Sequence, residues 1–379
     1  MRLKRRRKAQ VSGWRVVRRC VLFFTAVCVV PVLLVLLVAT DQYMRPVSNH
    51  QTYMQHMSQK RKLSLDVSLN QNLTQIAKRL DQRRQHLKKM CKLLGLDKIG
   101  NDTLHRPNPW EFLVDNKHHL VWCNIFKAAS TSWMYNFNIL AGYSPNFLKK
   151  SKLVPMTLAR QRYPRPSLLA LQKAFNTSIS FLIVRHPLER LLSAYRDKLQ
   201  YALPHTYHKK LGNEIIMKYR YKKKRPSTNL PTQRWPTFSE FVDYLVDSAR
   251  QDLRLDMHWT PIVEFCTPCM FDFHVIAHTE TLQEDQMYLI ESANLGDLIR
   301  PEWRNAGRGT TQQQVAKYYS QLTRSQILQL YHIYSYDFEL FNYSIQGYLE
   351  LGMPDKDPYS LLDAITMKDF RKNNSPKVY

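Results

Sequence analysis

Ile179-Ser-Phe-Leu-Ile-Val184 runs straight into Arg185-His-Pro-Leu-Glu-Arg-Leu-Leu-Ser193, and this stretch decides the fold class. The first six residues are apolar apart from one serine, a length and composition that suit a strand covered on both faces. Pro187 stands where a helix begins and has no use for the missing N–H. Beyond it Leu188, Leu191, Leu192 and Tyr195 fall on one side of a helix, with Arg190, Arg196 and Lys198 largely on the other. The same order occurs upstream. The strand-like run His119-Leu-Val-Trp-Cys-Asn-Ile-Phe126 leads into Lys127-Ala-Ala-Ser-Thr-Ser-Trp133, and a helix-compatible segment follows to Leu140, with Ser130 or Thr131 able to cap it. Phe271 to Ala277 offers a third strand. Strand, loop and helix twice over predict an α/β fold, a parallel sheet with helices on both faces.

Working outward, Cys20 to Thr40 is 21 residues without a charge, about the length that spans a bilayer core as a helix. Nine Lys/Arg and no acid precede it. That asymmetry keeps residues 1–19 cytoplasmic and sends everything after the 20–40 anchor across the membrane. Val38-Ala39-Thr40 faintly resembles a signal-peptide cleavage site, but the apolar run is too long for a typical signal core, so an uncleaved anchor is expected. Taking those nine from the 56 Lys/Arg leaves 47 against 30 Asp/Glu, near +17 for the lumenal part. Nucleic acid is absent from that compartment. The polyanions that remain are acidic glycans, anionic lipids and nucleotide cosubstrates, although a basic surface that only keeps the protein soluble has the same charge.

Cys20 and Cys28 fall at or inside the anchor, whereas Cys91, Cys123, Cys266 and Cys269 lie where disulfides persist; three pairings are open. Cys266-Thr-Pro-Cys269 has zinc-knuckle spacing without a second close Cys/His pair, which favours a disulfide. Sequons at Asn72, Asn101, Asn176, Asn342 and Asn373 agree with a lumenal location.

Residues 41–104 read as a stem. Leu69, Leu73, Ile76, Leu80, Leu87, Met90 and Leu94 make a heptad stripe in which Arg83 fills the one gap. It suits either a short coiled coil, and so a homodimer through the stem, or docking in cis. The globular domain, 105–379, begins near Arg106-Pro-Asn-Pro-Trp110. Within it Pro204 to Pro236 is polar and basic, with nine Lys/Arg and one acid, Glu214. It reads as a loop that either contacts a ligand or is simply solvated.

The two loops suggest a chemistry. Transfer of a sulfuryl group, like that of a phosphoryl group, calls for in-line positioning and neutralisation of charge on the leaving group. Phe126, Lys127, Ala128, Ala129, Ser130, Thr131 and Ser132 put small residues before a helix start, with one Lys at the loop's beginning. This is not the phosphate loop of NTPases, since glycine is missing and the Lys comes first. Arg185, His186, Pro187, Leu188, Glu189, Arg190, Leu191, Leu192 and Ser193 then place a guanidinium at a strand end and a hydroxyl on the following helix, a cradle for a further phosphate. An ordinary strand–turn–helix explains either element alone.

Together the two elements resemble the donor-binding segments of the HNK-1-type Golgi carbohydrate sulfotransferases, the family of chondroitin, dermatan and N-acetylgalactosamine 4-O-sulfotransferases. The family's Pro-Lys-Val-Ala-Cys-Thr-Asn-Trp-like segment is matched at Lys127, Ala129, Thr131 and Trp133. Its Arg-x-Pro-x-x-Arg-x-x-Ser-Ala-Tyr-Arg-x-Lys segment is matched throughout residues 185 to 198. His258-Trp-Thr-Pro261 with Cys266-Thr-Pro-Cys269, Glu280-Thr-Leu-Gln-Glu-Asp285 and the block from Tyr331 to Phe341 are similar to later family blocks. The likeness covers roughly residues 105 to 345. Phe126, Ser130 and Ser132 depart from the pattern, and these departures bear on acceptor type.

The resemblance implies a P-loop-kinase-like nucleotide core. It also implies 3′-phosphoadenosine 5′-phosphosulfate as cosubstrate, a glycan acceptor and a type II Golgi membrane protein, with no metal required. Lys127 is then the catalytic cation. His258 is the first candidate for the base that takes the acceptor's proton; His186, directly after Arg185, either serves there or orients the turn, and Glu280 is a weaker candidate. A lumenal kinase would need an acidic metal-binding pair and a triphosphate loop, neither of which the sequence displays. A membrane-anchored glycan-binding protein without catalysis explains the basic segment and leaves the donor loops unexplained.

Overall fold

The computed structural model describes residues 14, 17–36, 72–222, 233–301, 311–357 and 364. The chain divides into two compact units, Met1–Asn72 and Leu73–Tyr379. In the first, Val17–Leu36 is one exposed helix, long and apolar enough to cross a membrane. It widens into a π-turn over Thr25–Val29, where the Thr25 hydroxyl donates to the carbonyls of Val21 and Leu22 at 3.1 and 2.9 Å. Pro31 follows after Val30; it cannot donate to the preceding turn, and the wider turn makes room for its ring.

The second unit is built on four strands in the order β1-β2-β3-β4: Phe112–Asp115, Leu120–Cys123, Ile179–Val184 and Val275–His278. β2, β3 and β4 run parallel, with Trp122 beside Phe181 and Phe181 beside Val275. β1 is antiparallel to β2, so the sheet is mixed rather than wholly parallel. The reason is the short link from Asp115 to Leu120, which allows a hairpin but not a crossover. Asp115 closes that turn by accepting from the N–H groups of Lys117 and His118 at 3.0 and 3.1 Å.

Alternation along the strands separates two cores. Val121, Cys123, Leu182, Val184 and Ile276 pack with Leu171 and Phe175 of the Leu168–Thr177 helix. Trp122, Phe181, Ile183 and Val275 pack with Trp133 and Phe137 of the Ser130–Leu140 helix. Coverage of both faces accounts for the continuous apolar runs in β2 and β3. The helices Pro187–Tyr195, Tyr207–Ile215, Phe238–Arg250, Thr311–Tyr319 and Arg324–Leu340 share a third core, in which Leu191, Tyr195, Phe241, Trp259 and Tyr334 are buried.

Residues 72–93 form a helix, and its heptad stripe is spent in cis. Ile76, Leu80, Leu87 and Cys91 are buried in the two sheet cores. Arg83, the charged gap in the stripe, donates to the fully buried Asp285 at 2.7 Å and to the Ile276 carbonyl of β4 at 3.3 Å. Arg79 reaches the other Asp285 oxygen at 2.7 Å. The helix thereby shields an edge strand that would otherwise present unpaired backbone groups. The compact unit therefore starts at Leu73 rather than at 105; Leu69 lies outside the described residues.

The cysteines pair as Cys91–Cys269 and Cys123–Cys266. These bonds tie the helix and β2 to one turn, and both thiols of the zinc-knuckle spacing are used in them. Converting Cys91 and Cys269 together to Ser is expected to lower unfolding stability by about 2–4 kcal/mol. Denaturant unfolding of the purified protein checks this, and an unchanged midpoint contradicts it. Asn72, Asn101, Asn176 and Asn342 are all exposed, as glycan attachment requires; Asn373 lies outside the described residues.

Candidate active site

The chain leaves β2 and turns into the Ser130–Leu140 helix through a loop in which Lys127 and Ala129 adopt φ of 68° and 56°. These are left-handed conformations that glycine usually supplies. A loop without glycine is here a strained loop, and strain of this kind collects at functional sites. Ala129, not Ser130 or Thr131, occupies the N-cap, and no side chain caps the helix. The Ser132 N–H is satisfied by the Ala129 carbonyl at 3.1 Å; the earlier N–H groups, at the positive end of the helix dipole, suit an anion. Ala128 and Ser132 are buried, Thr131 is exposed, and Phe126, Lys127, Ala129 and Ser130 are half-buried.

Lys127 Nζ donates to Asp197 Oδ2 at 3.1 Å, and Lys198 Nζ lies 3.2 Å from the same oxygen. Asp197 and Lys198 belong to the π-turn Arg196–Gln200, which continues the Pro187–Tyr195 helix. The first loop therefore meets the far end of the helix that follows the second. Burial pushes the Lys127 ammonium below its ordinary value; Asp197 opposes this, and Lys198 and Arg185 add to the lowering. Three cations thus converge, answered here by Asp197 and Glu189, an arrangement that favours a polyanion.

Arg185 donates through Nε and Nη2 to Glu189 Oε2 at 3.3 and 3.1 Å. Ser193 stands one turn beyond Glu189 on the same helix face, and all three are half-buried. The rest of the segment turns inward. Pro187, Leu188, Leu191 and Leu192 are buried, the three leucines in the helical core. Arg190 is 1% exposed; its Nε donates to the Phe126 carbonyl at 2.9 Å and its Nη1 to the Thr260 carbonyl at 2.8 Å. It joins the first loop to the turn before Pro261, and its Nη2 is buried without a hydrogen-bond partner among the described residues. His186 Nδ1 accepts from the Leu188 N–H at 3.3 Å and its Nε2 donates to the Ser344 carbonyl at 3.0 Å. Both ring nitrogens are used, and burial lowers its pKa. Glu280 accepts from the His186 N–H at 3.3 Å and from the Tyr343 hydroxyl at 3.1 Å. His186 and Glu280 therefore hold the second loop in shape.

His258 is placed differently. Its Nδ1 donates to Asp256 Oδ1 at 2.6 Å, and its ring centroid is 4.8 Å from that of Phe126. Burial pushes the imidazole below its ordinary value; Asp256 opposes the shift, and Lys198 and His208 add to it. A neutral ring that donates from Nδ1 carries its lone pair on Nε2. Asp256, also bonded by His208 Nε2 at 3.2 Å, escaped the sequence reading, although Asp-x-His spacing beside a candidate base is a usable signal. His208 is far away in the chain, and no spacing marks it.

The family model described as Sulfotransferase family matches residues 110–344, a span that contains both loops and His258. The chain belongs to the sulfotransferase family. Carbohydrate sulfotransferase 11 of Danio rerio is 31% identical over 277 residues, covering 71% of this chain and 77% of its own. Carbohydrate sulfotransferase 10 of Xenopus laevis is 28% identical over 281 residues, covering 71% and 77%. Carbohydrate sulfotransferase 9 of Homo sapiens is 28% identical over 274 residues, covering 70% and 60%. No solved structure matches the chain.

In this sulfotransferase the basic segment from Pro204 to Pro236 is not a simple loop. Tyr207–Ile215 is an α-helix capped by Thr206, and Ile216–Lys222 continues it as a π-helix. Leu211, Ile215 and Tyr219, four residues apart, are buried in the helical core. Arg220 is buried and forms a bidentate pair with Glu240 at 2.9 and 2.8 Å. Lys223, Lys224 and Arg225 lie outside the described residues.

Proposed function

We propose that this enzyme transfers sulfate from 3′-phosphoadenosine 5′-phosphosulfate to a glycan hydroxyl in the Golgi lumen, as a type II membrane protein anchored by its apolar helix. The observation that carries the reading is that Lys127 of the first loop and Lys198, at the end of the helix after the second, share Asp197, while Arg190 of that helix holds the Phe126 carbonyl. On this reading the sheet is a P-loop-kinase-like nucleotide core. The uncapped helix start and Lys127 hold the 5′-phosphosulfate, and Arg185 with Ser193 holds the 3′-phosphate. Lys127 stabilises the charge that develops on the bridging oxygen as the sulfur–oxygen bond to the 5′-phosphate breaks. The acceptor oxygen forms the new bond to sulfur, its proton passes to His258 Nε2, and adenosine 3′,5′-bisphosphate departs. Lys and Arg supply the positive charge that metal ions bring to phosphoryl transfer. Asp197, already shared by two lysines, is a poor start for a kinase's metal site.

Titration calorimetry with adenosine 3′,5′-bisphosphate tests the donor half of this reading. Saturable binding that weakens when the 3′-phosphate is removed is expected. Glycan binding without nucleotide binding would make the protein a lectin rather than an enzyme.

The acceptor half is an anionic chain, chondroitin- or dermatan-like or a terminal sugar of a glycoprotein, held by the basic segment. Replacing Lys222, Lys223, Lys224 and Arg225 with Gln is expected to weaken acceptor use and flatten its salt dependence, since surface charge is screened over about 8 Å at physiological ionic strength. Initial rates against acceptor concentration at several salt levels decide it. Identical salt curves for wild type and variant would indicate a neutral acceptor or another contact surface.

A further inference from the structure

Asp256 receives two imidazoles from separate elements. Its Oδ1 accepts from His258 Nδ1 at 2.6 Å and from the His258 backbone N–H at 2.9 Å, while Oδ2 accepts from His208 Nε2 at 3.2 Å. His208 comes from the helix that opens the basic segment, and its ring stands edge-on to His258, centroids 5.2 Å apart. The Asp256 carbonyl also takes the N–H groups of Trp259 and Thr260 at 3.0 and 2.9 Å and the Thr260 hydroxyl at 3.0 Å. Arg190 clamps the Thr260 carbonyl in turn. The turn that carries His258 is therefore held at several points, and the carboxylate is fixed on both oxygens.

We propose that His208 and Asp256 are positioning residues that hold His258 as the base, in a His208–Asp256–His258 relay, an inference that rests on reading His258 as that base. With Nδ1–H pinned to Asp256, the lone pair stays on Nε2, and the imidazolium formed when the acceptor's proton arrives finds a carboxylate beside it. His208 occupies the second oxygen, so the carboxylate cannot rotate away. The same bond connects the acceptor-side helix to the base. His258 is faced by Lys198 from the π-turn and by His208; Asp256 is neighboured by Tyr244 of the Phe238–Arg250 helix, with Tyr207 and Glu214 beyond. Burial works to raise the Asp256 carboxyl, but the hydrogen bonds from His208 and His258 outweigh it and hold it well below the usual carboxylate range.

The neighbours push His258 in opposite directions: Asp256 raises its pKa, and Lys198 and His208 lower it. The full-length enzyme therefore has a signed test in the pH dependence of kcat/KM for acceptor. Asp256→Asn is expected to lose about tenfold or more in rate, within the range general-base assistance supplies, and to shift the acid limb to lower pH. His208→Ala and His208→Gln are expected to shift that limb to higher pH. Gln, which keeps an N–H for Asp256, should recover most of the rate lost by Ala. Unchanged binding of adenosine 3′,5′-bisphosphate certifies each variant's fold, and the His208 pair carries the test if Asp256→Asn fails that control. His258→Ala separates the two levels of the argument. If His258→Ala is inactive yet the His208 variants and any folded Asp256→Asn keep the wild-type profile, the relay is overturned and the base stands. A His258→Ala enzyme with near-normal turnover overturns the base itself.

Discussion

Lys127→Ala should lose about 10²–10³-fold in kcat, the scale on which removal of one charge-stabilising donor is felt. The side chain's polar partner is Asp197, itself shared with Lys198, so truncation leaves no unpaired carboxylate and no cavity in a core. Burial already lowers the Lys127 pKa, which makes its proton a better partner for a developing oxyanion than that of a solvated lysine. Turnover by the folded variant, confirmed by unchanged thermal unfolding, is the measurement. Near-normal turnover would remove Lys127 from the chemistry.

The second large effect is expected at Arg185. A charge-assisted hydrogen bond contributes about 1.5–3 kcal/mol, so Arg185→Ala should raise the apparent KM for donor by roughly 10–150-fold. The KM for acceptor should change far less. Ser193→Ala, which removes a neutral donor, should show a smaller shift of the same kind. The signature is loss of discrimination: the Arg185 variant should bind nucleotides with and without the 3′-phosphate about equally. Intact discrimination would place that phosphate elsewhere.

Strand β3 and the loop after it were legible because apolar run, Pro187 and helical stripe agree. β2 is shorter than its apolar run, ending at Cys123, because the chain leaves the sheet there to start the loop that carries Lys127. β1 was missed, since Phe112–Asp115 is too short to show a period and its pairing is set by the tight turn at Asp115. The segment after Pro204 was misread because its charges outnumber the buried Leu211, Ile215 and Tyr219 that carry the helix. Arg190 shows a different limit. Its spacing matches a donor-binding motif, yet burial turns it to two backbone carbonyls, and no sequence pattern separates a cation facing a ligand from one bracing the loop. The cysteine pairing and the contact of His208 with Asp256 are tertiary facts, joining positions that only the folded chain brings together.

The most direct test of the central claim is transfer itself. The purified full-length protein, in detergent, is incubated with sulfur-35-labelled 3′-phosphoadenosine 5′-phosphosulfate and desulfated chondroitin, dermatan and N-glycans, and label is counted on the glycan. Label on at least one acceptor, lost in Lys127→Ala, is the result predicted here. Transfer that survives in Lys127→Ala, or no transfer to any glycan by a protein that binds the donor, would contradict it.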